Sequence, residues 1–109
     1  MDKELKVAWA AGLFEGEGCI THNISHGRSY RKLTMNMTDK DVMQKFVDII
    51  GYGNLNGPYY YNGDRAHCKP RWQWEIGRKG EILRVLKLLL PYFGERRAEK
   101  ATEAINHLQ

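Results

Sequence analysis

The chain has 109 residues, of which 42% are hydrophobic and 28% are charged. This balance is typical of one globular domain, and it excludes global disorder and leaves no room for two full-sized domains. The net charge of +4 and the pI of about 9.1 suit a polyanionic partner but do not establish one. Two cysteines, Cys19 and Cys68, are too few for a disulfide-dense secreted fold.

The uncharged run 7–14 near the amino terminus is too short to span a bilayer, and no small-residue cleavage site follows it. We therefore expect an intracellular protein with no membrane partner. The hydrophobic periodicity predicts the order helix, two strands, helix, two strands, helix, helix.

The first helix is predicted over residues 3–16, with Asp2 as its cap and Glu4 in its first turn. Because residues 7–14 carry no charge on any side, we expect this helix to be buried on more than one face. One flank can pack on the chain's own sheet, and a second copy of the chain is a candidate partner for the other.

Two alternating segments, 19–25 and 30–37, predict a hairpin through the turn 26–29. Its apolar face carries Ile20, Ile24, Leu33, Met35 and Met37, and its other face is polar and faintly basic. Thr38 is predicted to cap a second helix that ends at Gly51. The apolar stripe of that helix consists of Val42, Phe46, Ile49 and Ile50.

A weaker strand is predicted over residues 54–61, where Pro58 favours a sheet edge or a bulge. Residues 71–76 alternate sharply and place Trp72, Trp74 and Ile76 inward. A helix that stops near Pro91 and a last helix over residues 95–108 complete the chain. The pattern as a whole predicts an α+β protein with a four-stranded antiparallel sheet and helices on one face. The polar sheet face fits a DNA groove, although a solvated face explains the same pattern.

Residues 10–18 read AAGLFEGEG and break local rules. Glu15 and Glu17 lie at a helix carboxyl end, where the helix dipole disfavours each anion by about 0.3–1 kcal/mol. Gly12 and Gly16 follow Ala8 at a spacing of four residues, with Ala11 beside them, although helical glycine costs roughly 1 kcal/mol relative to alanine. Such violations are typical of functional sites.

Small residues four positions apart allow two helix backbones to approach closely. A symmetric pair of these helices would bring both carboxylate-bearing ends together on the dimer axis. Carboxylates crowded beside helix-end carbonyls suit Mg²⁺, which prefers oxygen ligands. Metal ions held there would activate water and stabilise a leaving 3′ oxygen in phosphodiester hydrolysis.

Residues 10–18 resemble the LAGLIDADG motif of homing endonucleases, in a spelling found in small phage and intron enzymes. Met37-Thr38-Asp39, Trp72-Gln73-Trp74 and the segment 91–97 match that family's second helix cap, fourth strand and carboxy-terminal basic segment. The resemblance covers nearly the whole chain. It implies an αββαββα fold with a saddle-shaped antiparallel sheet, as a single domain over residues 1–109.

The resemblance also implies an activity. A single motif implies a homodimer that makes metal-dependent, staggered double-strand breaks at a long, near-palindromic DNA target. Mg²⁺ is the expected metal, with Mn²⁺ as a substitute. The gene would belong to an intron or phage mobile element, and the protein would be cytoplasmic, or organellar if an organelle intron encodes it.

Carried over by position, Glu17 matches the family's metal-binding acid, where aspartate is usual, and the Gly16 carbonyl is expected as a second ligand. Glu15 matches an earlier, more structural acid near the dimer interface. That interface is expected to consist of Ala8, Ala11, Gly12, Glu15 and Gly16. Arg96 or Arg97 matches a basic residue near the scissile phosphate. Asp39 matches a residue that positions water, although a first-turn helix acid explains it as well.

DNA bases are expected to contact the outward residues of the strands, since Arg and Lys favour guanine and Asn and Gln favour adenine. These twelve residues are Thr21, Asn23, Ser25, Tyr30, Lys32, Thr34, Asn36, Asn54, Asn56, Arg71, Gln73 and Glu75. Phosphate contacts are expected from Arg28, Arg31, Arg65, Lys69, Arg78 and Lys79.

Two other functions and one additional metal site are considered beside the nuclease. A LAGLIDADG-type binder that does not cut, such as an intron RNA maturase or a DNA-binding regulator, is the main alternative. A basic α+β dimer without a nucleic-acid task fits poorly with the glycine-rich, acidic helix end. Zinc is not expected, because Cys19 points to one side of its strand while His22 and His26 point to the other, and no Cys-x2-Cys pair is present.

Overall fold

The structure is a computed structural model, and it describes residues 2–109. The elements are α1 (Lys3–Glu17), β1 (Gly18–Ser25), β2 (Arg28–Met37), α2 (Lys40–Ile50), β3 (Asn54–Tyr59), β4 (Arg71–Ile76), α3 (Lys79–Leu89) and α4 (Glu95–Leu108). Short 3-10 turns, Gly63–Arg65 and Leu90–Tyr92, precede β4 and α4. The predicted order of elements is confirmed.

The four strands form one antiparallel sheet in the order β1-β2-β4-β3. Gly18 in β1 lies opposite Met35 in β2, and Met35 lies opposite Trp74 in β4. Leu33, Met35, Trp74 and Ile76 are buried on one face of the sheet, where the helices pack. The predicted α+β class, with helices on one face, is therefore confirmed.

Phe14 of the motif helix lies at the centre of the core. Its ring centroid is 6.5 Å from that of Phe46, 5.9 Å from that of Phe93 and 6.4 Å from that of Trp74. The Trp74 indole N–H donates a hydrogen bond to the Tyr52 carbonyl at 2.8 Å, so this buried polar group has a partner. The aromatic cluster joins α1 and α2 to the sheet and to the segment before α4.

α1 begins as predicted, with the Asp2 carboxylate accepting a hydrogen bond from the Leu5 N–H at 2.9 Å. Val7, Ala10, Ala11 and Phe14 form its buried face. The opposite face is not covered by this chain, and Leu5 remains 57% exposed there. Among residues 2–109, no helix combines the length and the apolar character that crossing a membrane requires.

Three local predictions were wrong. Asp39, and not Thr38, occupies the cap position of α2, because the helix begins two residues after Thr38. The buried stripe of that helix consists of Met43, Phe46 and Ile50, whereas the predicted Val42 and Ile49 are only half-buried. Ile24 is 75% exposed, because the hairpin tip extends beyond the helices that cover the rest of the sheet.

The prediction for Pro58 is confirmed, since β3 is an edge strand with a register shift between Asn56 and Tyr59. Trp74 is fully buried, whereas Trp9 and Trp72 are half-buried and pack against the core. The left-handed backbone of Gly51, with φ 79°, ends α2 as expected.

Replacing Phe14 with alanine should lower the free energy of unfolding by about 3–5 kcal/mol, because it empties the centre of the aromatic cluster. Urea unfolding followed by tryptophan fluorescence measures this loss. The matched control is Tyr60→Ala, since Tyr60 is 72% exposed, and it should change stability by less than about 0.5 kcal/mol. Similar losses in both variants would contradict the central position of Phe14.

Candidate active site and nucleic-acid interface

The carboxyl end of α1 is joined to the amino end of α4 by the side chain of Glu15. The Gly94 N–H donates to Glu15 Oε1 at 2.6 Å, and Arg97 Nε donates to Glu15 Oε2 at 3.2 Å. Arg97 Nη2 also donates to the Glu15 main-chain carbonyl at 3.0 Å. One glutamate therefore binds two groups at the start of α4 through its side chain and a third through its backbone.

Helix electrostatics explain why an acid is stable at this helix end. The dipole of α1 disfavours Glu15, but the positive amino end of α4 and the Arg97 guanidinium lie against it. Glycine at position 94 allows the close approach, because a Cβ there would lie 3.0 Å from Glu15 Oε1. The guanidinium carbon of Arg97 also lies 5.4 Å from the centre of the Phe14 ring.

The structure separates the two arginines that the sequence left as alternatives. Arg97 is half-buried and committed to Glu15, which makes it part of the junction between helices. Arg96 is exposed and lines a pocket of about 320 Å³ beside that junction. Lys100, one helical turn after Arg96, lines the same pocket, although no sequence motif had indicated a role for it. The pocket is lined by Glu15, Gly18, Cys19, Ile20, Arg96, Arg97 and Lys100.

Glu17 is the last residue of α1, and its side chain is exposed. Within residues 2–109, no side-chain hydrogen bond or ion pair engages its carboxylate. Gly16 beside it is exposed as well. An unengaged carboxylate next to helix-end carbonyls is a donor set of hard oxygen atoms, and it fits Mg²⁺. Asp39 is exposed at the amino end of α2, where the structure gives its carboxylate no capping hydrogen bond.

The twelve predicted base-contacting residues share the face of the sheet opposite the helices, which we call the open face. The register places Thr34 opposite Glu75, Asn36 opposite Gln73, and Thr21 opposite Lys32. Asn54 and Asn56 continue the same rows onto β3. Polar side chains from all four strands are thus brought together as the alternation predicted.

Some groups on the open face already bind one another. Lys32 Nζ lies 2.7 Å from Glu75 Oε1. Arg71 Nη1 donates to Asn36 Oδ1 at 2.7 Å. Two pairs that span β2 and β4 are therefore held in fixed directions, which suits a ligand with a fixed pattern of donors and acceptors.

The prediction that Arg31 contacts phosphate is wrong. Arg31 lies on the helix side of β2 and is only 9% exposed. Its Nε donates to His107 Nδ1 at 3.0 Å, and its Nη2 lies 3.7 Å from Glu103 Oε1. Arg31 therefore fixes α4 to the hairpin and is unavailable to DNA. The other residues expected to contact phosphate are all exposed: Arg28, Arg65, Lys69, Arg78 and Lys79.

Two residues of the predicted dimer face of α1, Gly12 and Gly16, are exposed in this chain. A Cβ added to Gly12 or Gly16 would meet no heavy atom within 4 Å, so nothing in this chain requires glycine at these positions. Ala8 borders the same face and is half-buried. The inclusion of Ala11 was wrong, because it is fully buried in the chain's own core.

Replacing Glu15 with glutamine should lower the free energy of unfolding by about 1–2 kcal/mol, because charge-assisted hydrogen bonds to the partly exposed carboxylate are lost. Urea unfolding measures the loss, and faster amide hydrogen exchange at Gly94 should accompany it. The control is Glu17→Gln, which changes an adjacent, unengaged acid and should stay within about 0.5 kcal/mol of the parent. Unchanged exchange at Gly94 would show that Glu15 does not hold α4.

Similarities to solved structures identify the fold. No protein-family model matches this chain, and no curated protein matches it either. The homing endonuclease I-CvuI, solved in complex with target DNA, is 20% identical with a TM-score of 0.77, over 97% of this chain and 67% of that one. The homing endonuclease I-TnaI is 14% identical with a TM-score of 0.69, over 99% of this chain and 71% of that one.

The LAGLIDADG meganuclease I-AabMI, solved bound to uncleaved DNA, is a longer protein. It is 17% identical with a TM-score of 0.72, over 93% of this chain but 35% of that one. The TM-scores of 0.69 to 0.77 show that all three share the fold of this chain. The resemblance that the motif suggested is thus borne out in three dimensions: this chain has the fold of the LAGLIDADG homing endonucleases.

Proposed function

We propose that this chain is a site-specific DNA endonuclease that acts as a homodimer and requires a divalent metal. The observation that carries the proposal is the position of the unengaged Glu17 carboxylate at the start of β1. Glu17 directly precedes Gly18, which begins β1 and lines the pocket of Arg96 and Lys100. A cation ligand, a phosphate-attracting pocket and a groove-sized polar surface are the three parts that metal-dependent cleavage of DNA requires.

Solved relatives of the fold support this proposal. I-CvuI was solved with DNA in the presence of Mg, where the DNA was not cleaved, and in the presence of Ca. I-AabMI was solved bound to DNA. We infer the same class of ligand for this chain because its open face carries the groups that such a ligand would meet.

The residues of this chain have distinct roles in the proposed reaction. When bound, Mg²⁺ would supply Lewis-acid activation of the phosphodiester and of the attacking water. Glu17 and the Gly16 carbonyl would hold it. Arg96 would neutralise the negative charge that develops on the phosphate, and Lys100 would bind phosphate beside it. Asp39 would position water, or it is a helix acid only.

Two copies of the motif helix would pack through the uncovered face of α1. Gly12 and Gly16 would let the backbones approach closely, and the two Glu17 side chains would come together near the two-fold axis. A two-fold protein contacts its half-sites symmetrically, so the target would be near-palindromic. Each Glu17 would then serve the cleavage of one strand.

We expect staggered double-strand cuts at one symmetric site when the protein is incubated with a library of near-palindromic duplexes and Mg²⁺ or Mn²⁺. Sequencing the cut ends gives the site and the stagger. Glu17→Gln should abolish cutting because it removes the metal-binding charge, whereas Glu17→Asp should retain it because the charge remains. Sequence-specific, salt-sensitive binding without cutting by the parent would refute catalysis and favour a non-cleaving binder or a maturase.

Gly12→Leu should convert the dimer to a monomer, because the added side chain would hold the two helix backbones apart. The protomer should keep its fold, since a Cβ at Gly12 meets nothing within 4 Å. Sedimentation velocity measures the mass, and circular dichroism checks the fold. Gly80→Leu is the matched control, since Gly80 lies in α3 and is equally open. A monomeric parent, or a dimer that survives in Gly12→Leu, would contradict this interface.

A further inference from the structure

Arg71 is the only arginine among the twelve predicted base-contacting residues, and two neighbouring strands hold its side chain. Its Nη1 donates to Asn36 Oδ1 on β2 at 2.7 Å. Its guanidinium carbon lies 4.9 Å from the centre of the Tyr59 ring on β3. The first contact fixes the direction of the guanidinium on the open face, and the second keeps it beside the tyrosine ring.

Tyr59 reaches the open face because β3 contains one extra residue. Asn56 lies opposite Gln73 and Tyr59 lies opposite Arg71, so three steps along β3 match two steps along β4. In a regular strand Tyr59 would point to the opposite side from Asn56, since alternate residues face opposite sides. The bulge therefore turns the Tyr59 ring to the same side as Arg71.

Gly57 permits this bulge. Its φ of +133° disfavours any other residue, and a Cβ there would lie 3.1 Å from the Arg71 carbonyl oxygen. The backbone conformation of Gly57 thus allows the bulge that places the Tyr59 ring next to the Arg71 guanidinium.

One edge of the Arg71 guanidinium remains available. Nη1 is engaged by Asn36, whereas Nε and Nη2 donate no side-chain hydrogen bond within residues 2–109. The Nε–H and Nη2–H groups are parallel donors that match the O6 and N7 acceptors of guanine in the major groove. Because its neighbours already restrain the side chain, less conformational entropy is lost when it binds a base.

Lys32 and Glu75 lie on the same face as Arg71, but they differ from it in being paired with each other. Their charged groups lie 2.7 Å apart, so each is already paired with an opposite charge. The charge of each is therefore largely balanced before DNA binds. Arg71 instead has a neutral amide and an aromatic ring as neighbours, and it keeps its positive charge.

We propose that Arg71 is a specificity-determining residue that binds guanine, and that Asn36 and Tyr59 are its positioning residues. This inference rests on the proposed function, because it requires the open face to lie in the major groove of DNA. In a two-fold dimer, it assigns guanine to one symmetric pair of positions in the target.

A binding selection tests this inference with a randomised, near-palindromic duplex library in metal-free buffer. The parent protein should enrich guanine at one symmetric pair of positions on the order of tenfold. Arg71→Lys should reduce the preference at that pair to near parity, because lysine lacks the paired donors, and it should leave other positions unchanged. Arg84→Lys is the matched control, since Arg84 is exposed on α3, on the side of the sheet away from the open face. It should leave the whole profile unchanged.

The guanine preference at the same pair of target positions also tests the two positioning residues, Asn36 and Tyr59. Asn36→Ala and Tyr59→Ala should weaken the guanine preference severalfold, whereas Tyr59→Phe should preserve it because the ring remains. If the parent selects a site but Arg71→Lys keeps the full preference, the inference is overturned and the proposed function stands. If the parent selects no sequence, the proposed function fails and the inference fails with it.

Discussion

A single carboxylate, that of Glu15, connects the two helix ends on which the candidate active site is built. The negative end of α1 meets the positive end of α4, and Arg97 completes the contact from the second helix. Because Arg97 also lies against the Phe14 ring, the junction is attached to the centre of the core. Glu17 ends α1 and Arg96 lies in the first turn of α4, so their relative placement depends on this contact.

The motif helix meets several demands at once, which explains a composition that helix propensity alone does not favour. Its buried face must fill the chain's own core, and Phe14 and Ala11 do so. Its uncovered face carries Gly12 and Gly16, which no contact within the chain requires. Its carboxyl end carries two acids in different surroundings, since Glu15 binds α4 while Glu17 remains unengaged.

The open face of the sheet is organised by pairing between strands. Charged and amide groups are held in pairs across β2 and β4, and the bulge in β3 adds an aromatic ring at one end. These pairs hold the side chains of Lys32, Glu75, Arg71 and Asn36 in defined directions before any ligand binds. Net positive charge would attract DNA from any direction, but these oriented donors and acceptors would confer sequence preference.

Local patterns in the sequence determined the element order, the α+β class, the Asp2 cap and the shared face of the twelve polar strand residues. They did so because a period of two or of 3.6 residues fixes which side chains lie together without knowledge of distant contacts. The same patterns implied an uncovered face on α1, since its glycines are unfavourable in an isolated helix.

Tertiary structure alone decided which distant residues meet. Glu15 and Arg97 are 82 positions apart, and Arg31 and His107 are 76 apart. No periodicity predicts such pairs, so the sequence could not choose between Arg96 and Arg97, and it assigned Arg31 to phosphate. Periodicity did not predict the side on which Tyr59 lies either, because the one extra residue of the β3 bulge reverses it. A side chain's surroundings depend on the packing of whole elements, and that packing is settled only when the core closes around Phe14 and Trp74.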